Sequence, residues 1–186
     1  MSTTTKQPAT DGAPRIKRLL GILFGTLHML AFALWFGGVI AIGALVAPAI
    51  SHVLHNPPPQ LDFDILKSTL TTGIIGQALL HFNIVCYVAA VLMLLADIVE
   101  LSIYPGGVVK IATLVRAAVT VALFATALYL GQSLTPQMDL MLAGKNMAAF
   151  DDLHKQYEMI VKLVQTPLLF AIPIITMYRN ARLTIK

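Results

Sequence analysis

Two histidines interrupt long apolar stretches, His28 within Leu19 to Ile50 and His81 within Leu70 to Ala96. An ionisable ring at membrane depth is costly, faces the protein interior, and marks ligand, proton or metal chemistry. His28 shares a helical face with Trp35, seven positions on, and His81 shares one with Gln77 and Gly73 at four-residue steps. One reading is structural: each ring hydrogen-bonds a backbone carbonyl or, for His81, Gln77. The other is chemical: both rings ligate one haem b iron from opposite faces. Ligands of one iron need nearly equal height. At about 1.5 Å per residue, His28 lies roughly 14 Å from an inner boundary near Leu19, and His81, counted back from Asp97, roughly 24 Å. That mismatch of roughly 10 Å disfavours a shared haem.

The same arithmetic sets Trp35, His81, Thr126, Lys162 and Gln165 at one level, with Gln132 just above. Together with Gln77 they form a candidate ligand-binding layer open to the outer side. The competing reading is that Gln132 and Lys162 meet lipid headgroups. Farther out, His154 and Glu158 stand one helical turn apart, as a metal pair would, but nothing in the sequence fixes a third ligand. No serine, histidine and carboxylate are spaced for nucleophilic catalysis, and the Gly37-Gly38 pair has no phosphate-facing loop around it.

These residues need apolar elements to carry them. Of 186 residues, 57% are hydrophobic and 12% charged, with a mean hydropathy of +0.78. Soluble domains are nearer about 25% charged, so the composition is that of an all-α polytopic membrane protein. Four runs reach the roughly 20 apolar residues that a bilayer core demands. They cover residues 19–50, 70–96, 108–130 and 159–177, a four-helix transmembrane bundle within a single domain, 15–186. Residues 1–14 read as a disordered tail. Arg15, Lys17 and Arg18 precede a run too long for a cleaved signal peptide.

Both tails and the second connection collect Lys6, Arg15, Lys17, Arg18, Lys110, Arg116, Arg179, Arg182 and Lys186, against Lys67, Lys145, Lys155 and Lys162 elsewhere. Nine against four sets both termini in the cytoplasm, and the expected location is a bacterial inner membrane. The positive charges flank spans, which argues topology and not nucleic-acid binding. The single Cys86 excludes an internal disulfide. Asn56-Pro57-Pro58-Pro59 and Tyr104-Pro105-Gly106-Gly107 mark turns, and Asp97 and Glu100 offset Lys110 or Arg116 across the second. Residues 131–158 suit a short interfacial helix. Pro48 is expected to bend the first span, and Pro167 and Pro173 the fourth. Ala33, Gly37 and Ala41, with Gly38 beside them, make a small-residue face for helix packing, within the chain or in a homo-oligomer or larger membrane complex.

The stretch His28-Met29-Leu30-Ala31-Phe32-Ala33-Leu34-Trp35-Phe36-Gly37-Gly38, then Ala47-Pro48-Ala49, resembles the opening of a bacterial family related to the eukaryotic transmembrane protein 205. Leu134-Thr135-Pro136 and Phe150-Asp151-Asp152-Leu153-His154 extend the resemblance over most of residues 20–178. It implies a four-span helical protein without an assigned activity. The opening is also similar to copper-resistance D-type membrane proteins, which implies copper handling. Haem-carrying protoporphyrinogen oxidases begin similarly, but their following arginine is replaced here by Gly43 and Ala44. The expectation is a non-enzymatic protein of the lipid bilayer that handles a small ligand or metal from the outer side or serves as an accessory subunit. The alternatives are a haem-binding redox protein and a packing subunit.

Overall fold

Apolar side chains at nearly every helical position leave no polar face to solvate, so the long runs become helices buried in one another and in lipid. The computed structural model describes residues 12–56, 76–104 and 106–184. The first span is α1 (Gly12–Ile40), a π turn (Ala41–Val46) and α2 (Ala47–His55). The second is α3 (Gly76–Ile103). The third is α4 (Gly107–Tyr129), a π turn (Leu130–Leu134) and α5 (Thr135–Ala143). The fourth is α6 (Met147–Ile160), a π turn (Val161–Gln165) and α7 (Thr166–Thr184). Four of these stretches are long and apolar enough to cross a membrane: Arg15–Ile50, Leu80–Ile103, Gly107–Met141 and Ala148–Leu183. The protein is an all-α, four-helix membrane bundle. The expected tail, the Pro57-Pro58-Pro59 turn and the start of the second run at 70–75 lie outside the described residues.

Each of the three described π turns ends two residues before a proline, at Pro48, Pro136 and Pro167. Proline lacks the N–H that would close the next helical turn, and a wider turn relieves the ring's clash with the preceding carbonyl. Before two of them a threonine holds the widened turn. Thr135 sends both its N–H and its hydroxyl, the latter at 2.9 Å, to the Leu130 carbonyl five residues back. Thr166 does the same to Val161, with the hydroxyl at 2.8 Å. The prolines are thus absorbed within continuous spans. In place of a separate interfacial helix over 131–158, residues 130–143 prolong the third span and α6, capped by the Asn146 side chain on the Ala149 N–H at 3.3 Å, prolongs the fourth. The latter helix runs straight on into α7 through the π turn.

Packing is sequential: α1 lies against α3, α3 against α4, and α4 against α7. The apolar core gathers Phe32 and Trp35 of α1, Cys86 and Met93 of α3, Leu123 of α4 and Leu169 and Ile172 of α7. Gly38 lets the Phe82 ring approach the α1 backbone, and Gly131 does the same for the Tyr87 hydroxyl. The tight second connection is made by Gly107, whose φ of +76° lies in the left-handed region that glycine enters without a Cβ clash.

Candidate functional site

The second span does not stop at Ala96. The helix continues to Ile103 and carries Asp97 and Glu100 inward, each fully buried. Asp97, Glu100 and Tyr104 follow one another at three- and four-residue steps and so share one face of α3. The facing stripe of α1 is Gly21, Gly25 and His28. The helices run antiparallel, so the pairs meet in order. A Cβ at Gly21 would lie 2.5 Å from the Tyr104 hydroxyl, and one at Gly25 would lie 3.2 Å from Glu100 Oε1. His28 Nε2 lies 3.6 Å from Asp97 Oδ2. The two glycines are therefore the clearance that lets α3 hold its acidic face against α1.

The other two helices bring the cations. Arg116 of α4 donates from Nε to Asp97 Oδ1 at 2.8 Å and from Nη2 to Glu100 Oε2 at 2.5 Å. Arg179 of α7 reaches the same Glu100 oxygen through Nη2 at 2.9 Å, donates to Asn180 Oδ1 at 3.1 Å, and lies 5.3 Å over the Tyr104 ring. Two carboxylates and two guanidiniums cancel in formal charge. That balance is what makes burial of four ionisable side chains tolerable, because one unpaired charge in such a place costs several kcal/mol, about 3–5. Threonines flank the network, but Thr113, Thr120 and Thr176 turn their hydroxyls to the carbonyls of Val109, Arg116 and Ile172 on their own helices. The network is not saturated. Both His28 ring nitrogens, Asp97 Oδ2, Glu100 Oε1, Arg116 Nη1 and Arg179 Nε are buried without a hydrogen-bond partner.

A cleft of about 1040 Å³ opens beside this network, between the first turns of α1 and the ends of α3 and α7. Lys17, Arg18 and Arg179 line it with Tyr104, and Ile22 and Leu183 supply apolar wall. Arg179 belongs to both sites: it is 3% exposed, bound to Glu100, and part of the cleft wall.

The sequence-derived outer layer is arranged differently from the inner network. Trp35 and Gln165 are buried in the bundle, Trp35 with its indole N–H unpartnered, whereas His81, Gln132 and Lys162 are exposed. Nothing is described of the Gln77 side chain. None of the other five lines the cleft. Lys162 forms an ion pair with Glu158 at 2.6 Å, and His154 lies 3.3 Å from the same carboxylate. Among the described residues no group of three or more histidine, cysteine, aspartate or glutamate side chains is placed to hold a metal ion. His28 and His81 are not brought together. His28 sits beside Asp97, which stands sixteen residues from His81 on α3, roughly 24 Å along the helix. A single iron does not span that distance. Of the small-residue face, Gly38 packs on Phe82, while Ala33 and Gly37 point outward and Ala41 is half-buried in the π turn.

Asp97 and Glu100 do meet Arg116, as the sequence suggests, but inside the bundle and not across an exposed turn. Arg179 carries only a topological meaning in the sequence. The signal that finds it is a set of small or polar residues on every span at helical spacing: Gly21, Gly25, His28; Asp97, Glu100, Tyr104; Thr113, Arg116, Thr120; and the pair Thr176 and Arg179. No family model, curated protein or solved structure matches the chain.

Proposed function

We propose that this is a non-enzymatic membrane protein that binds a small ligand at the end of the bundle where α1 begins and α7 ends. The observation that carries the reading is Arg179, a buried cation held by Glu100 that also forms the wall of the cleft. Such a group is preorganised: its position is set before any ligand arrives, so little ordering entropy is lost on binding. The reading moves the working surface from the outer polar layer to the inner end. The count of lysines and arginines assigns that end to the cytoplasm of a bacterial inner membrane. Kinship with the family related to transmembrane protein 205 is part of the proposal and rests on the His28 to Gly38 and Phe150 to His154 motifs.

The test is a mass spectrum of protein extracted gently from its native membrane. A retained small molecule is expected in the wild type and reduced in Ile22→Trp, which puts a bulkier side chain on the cleft wall and removes no member of the ionic network. Retention unchanged by that substitution would place the ligand elsewhere and sink the reading. A second reading, an accessory subunit, is favoured by the outward-facing Ala33 and Gly37, where a Cβ at Gly37 would meet nothing within 4 Å. Cross-linking from position 37 in native membranes, yielding a defined adduct, is its expected result.

A further inference from the structure

We infer that the cleft between α1 and α7 recognises a phosphate group carried on an apolar tail, the chemistry of an anionic lipid headgroup. The inference rests on the binding reading above and names its ligand class. Three cations, Lys17, Arg18 and Arg179, line one cleft, and among the described residues no carboxylate-bearing side chain does. Glu100 holds Arg179 from behind through Nη2, while Nε of that guanidinium is buried without a partner. A guanidinium braced in this way keeps one N–H, at Nε, uncommitted for a charge-assisted bond to a phosphate oxygen. Lys17 and Arg18 are exposed and reach the same space as flexible point charges. The Tyr104 ring beneath Arg179 holds the guanidinium plane.

The apolar part of the ligand is read from the other wall. Ile22, at 58% exposure, and Leu183 border the cleft, and α1 continues from there with Leu19, Leu23 and Leu30 exposed. That surface faces hydrocarbon in a membrane, so a tail can lie along it while the headgroup sits among the cations. Basic pockets between spans at the inner leaflet bind phospholipid headgroups on these terms, and each Lys or Arg near the surface contributes about 1 kcal/mol. That is about fivefold in affinity per cation.

The experiment uses full-length protein in detergent with equal mole fractions of phosphatidylglycerol and phosphatidylcholine, with retained lipid counted by native mass spectrometry. Phosphatidylglycerol should be retained at least about tenfold over phosphatidylcholine. In Lys17→Ala/Arg18→Ala, which leaves the buried network intact, that preference should fall by roughly 25-fold at most and by at least about fivefold. Lys110→Ala removes a cation at the same end but outside the cleft, and should leave the preference unchanged. A parallel arm adds glycerol 3-phosphate. Binding of that compound with the same sensitivity to Lys17→Ala/Arg18→Ala, without a lipid preference, keeps phosphate recognition and assigns it to a soluble source. Equal retention of the two lipids with no glycerol 3-phosphate binding overturns the inference. The same result accompanied by a native ligand reduced in Ile22→Trp would leave the binding reading standing, so the two failures are distinct.

Discussion

Arg179 of α7 closes on Glu100 of α3 at 2.9 Å, both side chains buried, although the helices that carry them are not consecutive spans. The same Glu100 oxygen also holds Arg116 of α4, so one carboxylate ties the last span to the two central ones. Removing it leaves Arg179 with no carboxylate and Arg116 with Asp97 alone. Glu100→Ala should therefore cost about 3–5 kcal/mol, measured as the shift in unfolding by denaturing detergent. Arg179→Gln alone should cost less, since Arg116 still compensates Glu100. The double variant Glu100→Ala/Arg179→Gln should fall short of the summed single costs by about 1 kcal/mol or more, on the order of couplings between contacting charges.

His28 stands apart from that balance. Its ring is fully buried beside Asp97 but lies beyond hydrogen-bond reach at 3.6 Å, and Asp97 is already engaged by Arg116. His28→Gln should consequently cost less stability than Asp97→Asn in the same unfolding measurement. The purified protein, oxidised and then reduced with dithionite, should show no bis-histidine haem bands, because His81 lies roughly 24 Å farther along α3. A Soret band abolished by either His28→Ala or His81→Ala would contradict this.

How much of this was legible in the sequence follows from what each feature needs. Four spans are visible because a bilayer core demands long apolar runs. The span ends are not, because hydropathy stops at the first charge, and Asp97 looks like the edge of the second run. The helix passes through it, since Arg116 and Arg179 supply the countercharge that burial requires. That compensation comes from other spans and appears only when helices are paired. The triplets at three- and four-residue steps were present to be read, but their register, which sets Gly25 against Glu100 and His28 against Asp97, is a tertiary fact. The outer layer divides between buried and exposed side chains. Equal depth does not set which way a side chain turns, and His81 turns outward while Trp35 turns in.

Two adjacent glycines should separate cleanly. Gly38 faces the Phe82 ring closely enough that a methyl group would collide with it, whereas nothing lies within 4 Å of one at Gly37. Gly38→Ala should destabilise the protein by about 1–3 kcal/mol, the usual range for forced overpacking. Gly37→Ala should be neutral or stabilising by up to about 1 kcal/mol, the helix-propensity difference. Thermal unfolding of the two variants side by side is the check.

Orientation is open to a labelling experiment in a Cys86→Ala background. Asn56→Cys lies beyond the end of α2, and Gly106→Cys in the connection between α3 and α4, at opposite ends of the bundle. With both termini in the cytoplasm, a membrane-impermeant thiol reagent applied to intact cells should label position 56 and spare position 106 until the membrane is opened. The reverse pattern would invert the topology and move the cation-lined cleft to the outer side.

The threonines before Pro136 and Pro167 offer a test of how the long spans tolerate proline. Each directs a hydroxyl and an N–H to one carbonyl five residues back, so that the acceptor is doubly engaged at the widest point of the π turn. Thr135→Val and Thr166→Val keep the side-chain volume and β-branching but delete the hydroxyl bond. Each should cost about 0.5–1.5 kcal/mol. Thr126 provides the contrast, because its hydroxyl bonds Ala122 four residues back within regular helix, where there is no widened turn to hold. Thr126→Val should shift unfolding by less than either proline-flanking change. If all three behaved alike, the hydroxyls would be ordinary helix-surface groups, and the π turns would be held by proline sterics alone.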